Sequence, residues 1–360
     1  MSRIKALGFI LFLAACGGSS TPPVSGSPDA DEGGGPGQGG GTGGRQATGG
    51  SSGSGGAVSP DAAVIPQPDA AGEEAAPPPA DAAPSSSVFR CPAGPFEAPK
   101  TGPRKDICPG FNVKYNWNEG PTWVASQKAF FFSNFVIMEA GPGDMIKYDP
   151  ATDKCEVFIQ GNGCNGLVAD HQGGIIATCQ TPRALLRFDL ATKKSTVLVD
   201  MVEGKKLDSP NDVVIHGNGT VYFSNTTFEL GGRPQGLGSA LMRMDPAGMV
   251  TVIAKGGINP LGLSPDGKRL YAMGGYWDLD DQGVPVKKSG GFTLGNDGIA
   301  VDCAGNVYTN GGAIVSPANA RVGSYPGGTN MAFGGEDGKT LLVVGGKNMH
   351  TVQMNLPGLP

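Results

Sequence analysis

The stretch Asn211-Asp-Val-Val-Ile-His-Gly-Asn-Gly219, followed by Val221-Tyr-Phe, decides the fold of this chain. A polar residue opens a short apolar run, a glycine lies eight residues further on, and a second apolar run follows. Glycine permits the positive φ that a tight turn requires, and the β-branched and aromatic residues on either side favour strands. The stretch therefore predicts a β-hairpin that begins near Asn211.

The same unit recurs along the chain. In four further copies a glycine again lies eight residues after a polar residue, and in a sixth copy Gln127 takes the place of the glycine. The polar residues that open the units, here called the ring residues, are Glu119, Asn165, Asn211, Asn259, Asp297 and Asn330. They follow one another at intervals of 33 to 48 residues, with further pairs of apolar runs between them. Four strands per repeat at this period are typical of propeller blades. We therefore expect an all-β fold, a six-bladed β-propeller, rather than a β-sandwich.

The composition separates this repetitive body from the segment before it. Residues 17–88 contain no aromatic residue, and their eight acids face a single base, Arg45. Such a segment buries too little apolar surface to fold. We therefore expect residues 16–88 to form a disordered linker and residues 89–360 to form the propeller domain. The net charge of −5 derives from the linker, and it leaves no basic footprint for nucleic acid. With 61 glycines and only 16% charged residues, a coiled coil or helix bundle is also excluded.

The first fifteen residues predict an export signal. Arg3 and Lys5 precede an apolar stretch from Ala6 to Ala15 that is too short to span a bilayer. The sequence Leu13-Ala-Ala-Cys16 resembles the lipobox of bacterial lipoproteins. The resemblance implies a lipid on Cys16 that anchors the protein at the bacterial cell envelope, and Gly17 favours the outer membrane. The alternative is an ordinary signal peptide followed by an incidental cysteine.

The ring residues also predict a site. The first strand of each propeller blade lines the central channel, so equivalent positions converge at one end of it. Carboxylate and amide oxygens suit a hard divalent cation, with Ca²⁺ as the first choice and Mg²⁺, Mn²⁺ or Zn²⁺ as alternatives. Without a cation, the two ring carboxylates would repel each other and one pKa would rise. We expect Glu119, Asn259 and Asp297 to bind the cation, and Asn165 and Asn330 to cap their strands.

Four motifs carry a family resemblance. They are Glu119-Gly-Pro-Thr-Trp, Ser209-Pro-Asn-Asp-Val-Val, Asp297-Gly-Ile-Ala-Val-Asp and Thr329-Asn-Met-Ala-Phe-Gly-Gly-Glu-Asp-Gly-Lys-Thr-Leu. In this order they resemble the regucalcin–gluconolactonase family, also called senescence marker protein-like, over about residues 115–360. The resemblance implies a six-bladed propeller that hydrolyses sugar lactones and related cyclic esters with one divalent cation. It implies that Glu119, Asn259 and Asp297 are metal ligands, that Asn211 binds substrate or metal, and that Asp297 is the general base.

The residues themselves favour the same chemistry. His171 and His216 fall in the predicted turns and His350 near a late strand, so a Ser-His-Asp mechanism is not expected. A cation must then polarise the lactone carbonyl and lower the pKa of a bound water. A carboxylate, Asp297, moves the proton. The expected partner is a small lactone or cyclic ester, and the expected state is a monomer.

Two other functions stay open. One is a non-catalytic propeller that binds a ligand or a protein around a structural cation, and the other is a purely structural scaffold. The first is motivated by departures from the family pattern at Asn225 and at Pro260, which follows Asn259. Gln180 and the pair Gly274-Gly275 are further departures.

Six cysteines follow the lipobox, an even number that suits disulfides in an exported protein. The expected pairs are Cys91 with Cys108 and Cys155 with Cys164. We expect Cys179 and Cys303 to be unpaired, because one follows a predicted strand and the other lies in a turn. A cysteine metal site is excluded, since no CxxC spacing occurs.

Overall fold

Six antiparallel four-stranded sheets form the blades of a β-propeller in the computed structural model, which describes residues 90–256, 259–272 and 274–360. The predicted all-β, six-bladed fold is confirmed. The helical structure in these ranges is a single short 3-10 helix at Ala125–Gln127, so no helix there is long and apolar enough to cross a membrane. The predicted signal sequence (1–15) and linker (16–88), with Cys16, lie outside the described residues.

The four strands of each of blades 1 to 5 are consecutive in the chain. Strand β1 (Thr101–Asp106) precedes them and belongs to none of these five blades. Blade 1 contains β2 (Trp117–Val124), β3 (Ala129–Phe135), β4 (Gly143–Asp149) and β5 (Lys154–Ile159). Blade 2 contains β6 (Cys164–Ala169), β7 (Ile175–Cys179), β8 (Ala184–Phe188) and β9 (Ser195–Val199). A small hairpin of β10 (Met201–Val202) and β11 (Lys205–Lys206) leads to blade 3.

The remaining blades repeat this order. Blade 3 contains β12 (Ser209–Ile215), β13 (Val221–Thr226), β14 (Ala240–Met244) and β15 (Val250–Lys255). Blade 4 contains β16 (Leu261–Leu263), β17 (Arg269–Ala272), β18 (Gly275–Leu279) and β19 (Pro285–Gly290). Blade 5 contains β20 (Ile299–Val301), β21 (Val307–Thr309), β22 (Ala313–Val315) and β23 (Arg321–Ser324). Blade 6 contains β24 (Asn330–Gly334), β25 (Thr340–Gly345) and β26 (Asn348–Met354).

The first strand of each blade lies innermost. Strands β2, β6, β12, β16, β20 and β24 contact one another in a closed sequence around the channel. Each forms a hairpin with the next strand, and the repeated glycine occupies the turn with positive φ in blades 2 to 6. In blade 1 the left-handed residue is Lys128 (φ 47°), one position after Gln127. The eight-residue spacing therefore reports the length of the inner strand and its turn.

Both faces of each blade are packed, and blade 1 shows how. Phe130 and Phe132 of β3 join a buried cluster with Leu342 of blade 6, whereas Phe131 between them joins a cluster with Leu186 of blade 2. Successive side chains of a strand point to opposite faces, so a continuous apolar run serves two interfaces. Each fully buried phenylalanine contributes about 1.5–3 kcal/mol relative to an exposed one.

A strand that precedes blade 1 closes the propeller. Strand β1 pairs antiparallel with β26, so blade 6 has the order β1-β26-β25-β24. Lys105 opposes Thr351 and Asp106 opposes His350 in this register. The last blade is therefore completed by a strand that precedes blade 1.

The cysteine pairing differs from the expected one. The structure has three disulfides, Cys91–Cys303, Cys108–Cys155 and Cys164–Cys179. The expected pairs Cys91–Cys108 and Cys155–Cys164 were wrong, and so was the expectation that Cys179 and Cys303 are unpaired. The observed pairs depend on how the propeller is closed. The segment that contains β1 runs along blades 5, 6 and 1. Cys91 thereby meets the blade 5 turn and Cys108 meets β5. Cys164 and Cys179 are directly opposite on β6 and β7.

We predict that the disulfides stabilise the fold in the order of the chain length they close. The Cys91–Cys303 pair is separated by 212 residues and the Cys164–Cys179 pair by 15. In the chain-entropy treatment, removing the first with paired serines should cost about 5 kcal/mol and removing the second about 3 kcal/mol. Chemical denaturation of the two double variants measures the difference. Equal losses, or a larger loss at Cys164–Cys179, would contradict it.

Candidate functional site at one end of the central channel

The structure gathers the ring residues at the same end of the inner strands. Glu119, Asn165 and Asn211 lie within β2, β6 and β12, and Asn330 opens β24. The other two ring residues each precede their inner strand by two positions, Asn259 before β16 and Asp297 before β20. Nδ2 of Asn259 donates a hydrogen bond of 3.3 Å to Oδ1 of Asp297, so blades 4 and 5 are directly joined here.

Irregular pairing positions the ring residues of blades 1 to 3. The registers of β2, β6 and β12 with their hairpin partners shift between Glu119 and Thr122, between Cys164 and Leu167, and between Pro210 and Val213. Such bulges re-aim side chains and are frequent next to functional sites. In these three blades the repeated polar residue therefore lies at a break in the strand pairing.

Glycine allows the inner strands to approach closely beneath the ring. A Cβ atom on Gly120 would lie 2.3 Å from the backbone oxygen of Asn165, and one on Gly298 would lie 2.1 Å from Cγ of Asn330. Gly120 and Gly298 each follow a ring carboxylate and donate a backbone hydrogen bond of 3.1 Å to it. In both pairs, Glu119-Gly120 and Asp297-Gly298, the glycine allows close packing of the channel wall, and its amide holds the preceding carboxylate.

Two further carboxylates join the ring residues. Oε2 of Glu229, on the β13–β14 connection, accepts hydrogen bonds from Nδ2 of Asn211 at 3.1 Å and Nδ2 of Asn165 at 3.3 Å. Oδ1 of Asp212 accepts one from Nδ2 of Asn330 at 3.3 Å. Sequence reasoning missed both residues. Asp212 was visible beside Asn211 in its motif, whereas Glu229 belongs to no repeated unit.

The four acids perturb one another. Burial, with a smaller contribution from the Glu119 charge, raises the pKa of Asp212 to about 7. Burial and the nearby charges of Glu119 and Asp212 raise the pKa of Asp297 to about 9. Burial likewise raises the pKa of Glu229 to about 7 and that of Glu119 above its usual range, although hydrogen bonds oppose both shifts. At neutral pH these side chains cannot all be ionised without a compensating positive charge.

The donor set fits a hard cation in one specific respect. Oδ1 of Asn259 and Oδ2 of Asp212 are buried and have no hydrogen-bond partner among the described residues. Within the same ranges, no three His, Cys, Asp or Glu side chains lie close enough to hold a metal ion by themselves. A cation at the ring would therefore need an amide oxygen as well as carboxylates. Asn259 provides such an oxygen, since its Nδ2 is already engaged with Asp297.

The histidines lie elsewhere. His171 and His216 are in the inner turns, where they line a cavity of about 1190 Å³ that extends along the channel below the ring. His216 is held by the carbonyl of Gly267 at 3.1 Å and the amide of Asn218 at 3.2 Å. His350 lies in β26 and contacts the carbonyl of Pro326 at 3.0 Å. His171 and His216 thus lie in the hairpin turns and His350 in a late strand, where the sequence placed them.

One departure from the family pattern has a structural cause. Asn225 is buried, and its Nδ2 donates to Oδ2 of Asp208 at 3.1 Å and to the carbonyl of Gly238 at 2.7 Å. Its Oδ1 accepts from the amide of Asp208 at 2.8 Å. An aspartate here would place a carboxylate against another carboxylate and a carbonyl. Asn225 therefore serves the loop that carries Glu229. Pro260 follows Asn259 through a cis peptide bond.

Fold and site together define a six-bladed β-propeller protein with an acid–amide cluster at one mouth of its channel. The family model described as the SMP-30/Gluconolactonase/LRE-like region matches residues 117–346. The chain belongs to this family.

Individual relatives agree with the assignment. The chain is 26% identical to a gluconolactonase of Zymomonas mobilis over 285 residues, which cover 66% of this chain and 78% of that protein. Its fold is similar to a gluconolactonase structure from Xanthomonas campestris, with a TM-score of 0.60, 21% identity and coverage of 74% and 99% of the two chains. It is also similar to a regucalcin, described as a calcium-binding protein, from Agrobacterium tumefaciens. There the TM-score is 0.55 and the identity 17%, with coverage of 71% and 94%.

We predict that the cation-free protein loses stability as the pH rises from 5 to 9. The raised pKa values mean that the folded protein keeps protons that the unfolded chain has released, so the stability present at low pH is lost toward pH 9. The slope should be about 1.4 kcal/mol per pH unit for each carboxyl still protonated in the fold. Thermal unfolding in chelator measures it. Glu119→Gln should flatten the slope, because it removes a charge that raises the other pKa values. The control Glu336→Gln, at an exposed position, should leave the slope unchanged. An unchanged slope in Glu119→Gln would contradict an electrostatic origin of the pH dependence.

We predict that Asn225→Asp destabilises the protein by about 3 kcal/mol, because it replaces two buried donated hydrogen bonds by carboxylate repulsion. The matched control is Asn218→Asp, at an exposed turn where Oδ1 accepts from the amide of Thr220 and an aspartate can do the same. Urea denaturation of both variants measures the difference. A loss below about 1 kcal/mol for Asn225→Asp would show that the loop adapts to the charge.

Proposed function

We propose that this protein is a divalent-cation-dependent lactonase, a gluconolactonase-like hydrolase of small cyclic esters. The observation that carries the proposal is the cluster of mutually perturbed carboxylates beside the unpartnered Oδ1 of Asn259. Family membership and the similarity to a gluconolactonase of Zymomonas mobilis support the choice of substrate class.

Glu119, Asn259 and Asp297 would hold the cation, with Ca²⁺ as the first candidate because the donors are all oxygens. When bound, the cation supplies Lewis-acid polarisation of the ester carbonyl and a lowered pKa for water. The two ring residues of blades 4 and 5 are only partly buried, whereas Glu119 is 4% exposed. The open side of the ring therefore lies over blades 4 and 5, where a substrate reaches it.

Asp297 is the proposed general base. Its Oδ1 already accepts from Asn259 and from the amide of Gly298, which orients the carboxylate and leaves Oδ2 outside these hydrogen bonds. In the ionised form of Asp297, which a bound cation would favour over the protonated form, Oδ2 can take a proton from the attacking water and return it to the leaving oxygen.

Asn211 is the proposed substrate-binding residue, and Glu229 positions it. The Nδ2–Oε2 hydrogen bond of 3.1 Å fixes the orientation of the amide, so that Oδ1 of Asn211 faces away from Glu229. A second amide, that of Asn165, bonds the same carboxylate oxygen. The buried half of the ring thus provides fixed polar groups opposite the open half.

We predict that Asp297→Asn lowers kcat for lactone hydrolysis by about 10²–10⁴, because a positioned base contributes a factor of this size. Glu119→Gln should lower activity mainly by weakening cation affinity, and excess cation should restore part of it. Turnover of δ- and γ-lactones with and without chelator, together with calorimetric titration of Ca²⁺, measures both effects. The matched control is Asp337→Asn, at an exposed turn of blade 6.

Full activity in both ring variants would reject the mechanism. Cation binding and ligand-dependent thermal stabilisation without turnover of any lactone would favour a non-catalytic binding propeller. The proposal also includes attachment to a bacterial envelope through a lipid on Cys16 and a monomeric state. Mass spectrometry of the membrane fraction and light scattering of the soluble domain test these two points.

A further inference from the structure

Two polar side chains near the ring have buried atoms that no described residue satisfies. Gln180 is fully buried, and both its Oε1 and its Nε2 lack a hydrogen-bond partner in the described ranges. Nη2 of Arg233 is in the same situation. A buried polar atom without a partner costs about 1–3 kcal/mol, and native proteins leave few of them unless a ligand or water completes the set.

Hydrogen bonds place Arg233 beside the residues that follow Gln180 and Glu229 in the chain. Nη1 of Arg233 donates a hydrogen bond of 2.9 Å to the carbonyl of Thr181, the residue after Gln180. Nε of Arg233 donates to the carbonyl of Leu230 at 2.9 Å, and Leu230 follows Glu229. On the other side, Gln180 directly follows β7, whose end is paired with the start of β6 beside Asn165. Gln180 and Arg233 therefore lie on connections that border the buried half of the ring.

Arg233 also forms no ion pair with a carboxylate of the described residues. Burial and the charge of the neighbouring Arg183 lower its pKa, and the charge of Asp208 opposes this only in part. Asp208 is itself engaged by Arg183 at 3.4 Å and by the backbone amides of Gly236 and Gly238. A partly buried guanidinium in this setting favours a further anionic acceptor.

We propose that Gln180 and Arg233 form an anion subsite that binds a carboxylate substituent of the substrate. The inference rests on the proposed lactonase function and names its substrate class, a sugar-acid lactone that keeps a free carboxylate. Nε2 of Gln180 and Nη2 of Arg233 are two N–H donors for the two carboxylate oxygens. Oε1 of Gln180 accepts from an adjacent substrate hydroxyl. A neutral lactone leaves the guanidinium unpaired and is the poorer substrate.

The test compares D-glucaro-1,4-lactone with D-glucono-1,4-lactone. The first has a free carboxylate where the second has a hydroxymethyl group. The wild-type protein should have the higher kcat/KM for the acidic lactone. Arg233→Gln should lower that value by about ten- to a hundredfold, mainly through KM, because a charge-assisted hydrogen bond is lost. For the neutral lactone, kcat/KM should change less than about threefold. Arg233→Lys should recover part of the preference for the acidic lactone, because lysine keeps the positive charge but lacks the paired N–H donors of the guanidinium group.

Equal losses on both lactones would assign Arg233 a structural role and overturn the proposal, as would a wild-type preference for the neutral lactone. Exposed Arg321→Gln on β23 is the matched control and should change neither value. Calorimetric binding of glucarate against gluconate separates the subsite from catalysis. If neither lactone is hydrolysed, the proposed function fails, yet tighter binding of glucarate that Arg233→Gln abolishes still supports the subsite. Equal binding of the two acids, or none, overturns it.

Discussion

The pairing of β1 with β26 is the constraint on which the rest of the structure depends. Six blades enclose a channel only if the last is joined to the first, and here the strand before blade 1 completes blade 6. The Cys91–Cys303 and Cys108–Cys155 bridges fasten the same segment to blades 5 and 1. Closure brings six residues distant in sequence to one mouth of the channel. Without it, Glu119 and Asn330 would lie on the two free ends of an open array.

The closed ring concentrates charge that the fold alone does not favour. Glu119, Asp212, Glu229 and Asp297 are buried or half-buried near one another, and each has a raised pKa. Apolar residues at these positions would give a more stable propeller, since desolvated carboxylates cost free energy without a partner. A divalent cation at the proposed site would offset this cost by supplying the missing positive charge. The carboxylates that cost the fold free energy are therefore the same groups that we propose to hold the cation.

The sequence predicted the features that recur in each repeat and missed the contacts that residues outside the repeat make. The eight-residue spacing from Asn211 to Gly219 is a property of one hairpin, so it predicted the strands and the convergence of the ring. Glu229 lies on a connection found once, and the pairing of Cys91 with Cys303 depends on closure over 212 residues. Asn225 departed from the family pattern, and only the position of Asp208 explains it. Local periodicity fixes the blades, whereas contacts between connections are set by the assembled ring.

The two ends of the blades have different roles in this architecture. Connections between the first and second strands lie at the turn end, with His171 and His216, and those of blades 2 to 6 share one glycine turn. Connections between the second and third strands lie at the ring end and vary, from residues 180–183 in blade 2 to residues 227–239 in blade 3. The second of these carries both Glu229 and Arg233. Relatives with about a fifth of their residues identical keep the same propeller, because inner strands and hairpin turns determine it. Substrate preference can then change through the ring-end connections without altering the channel.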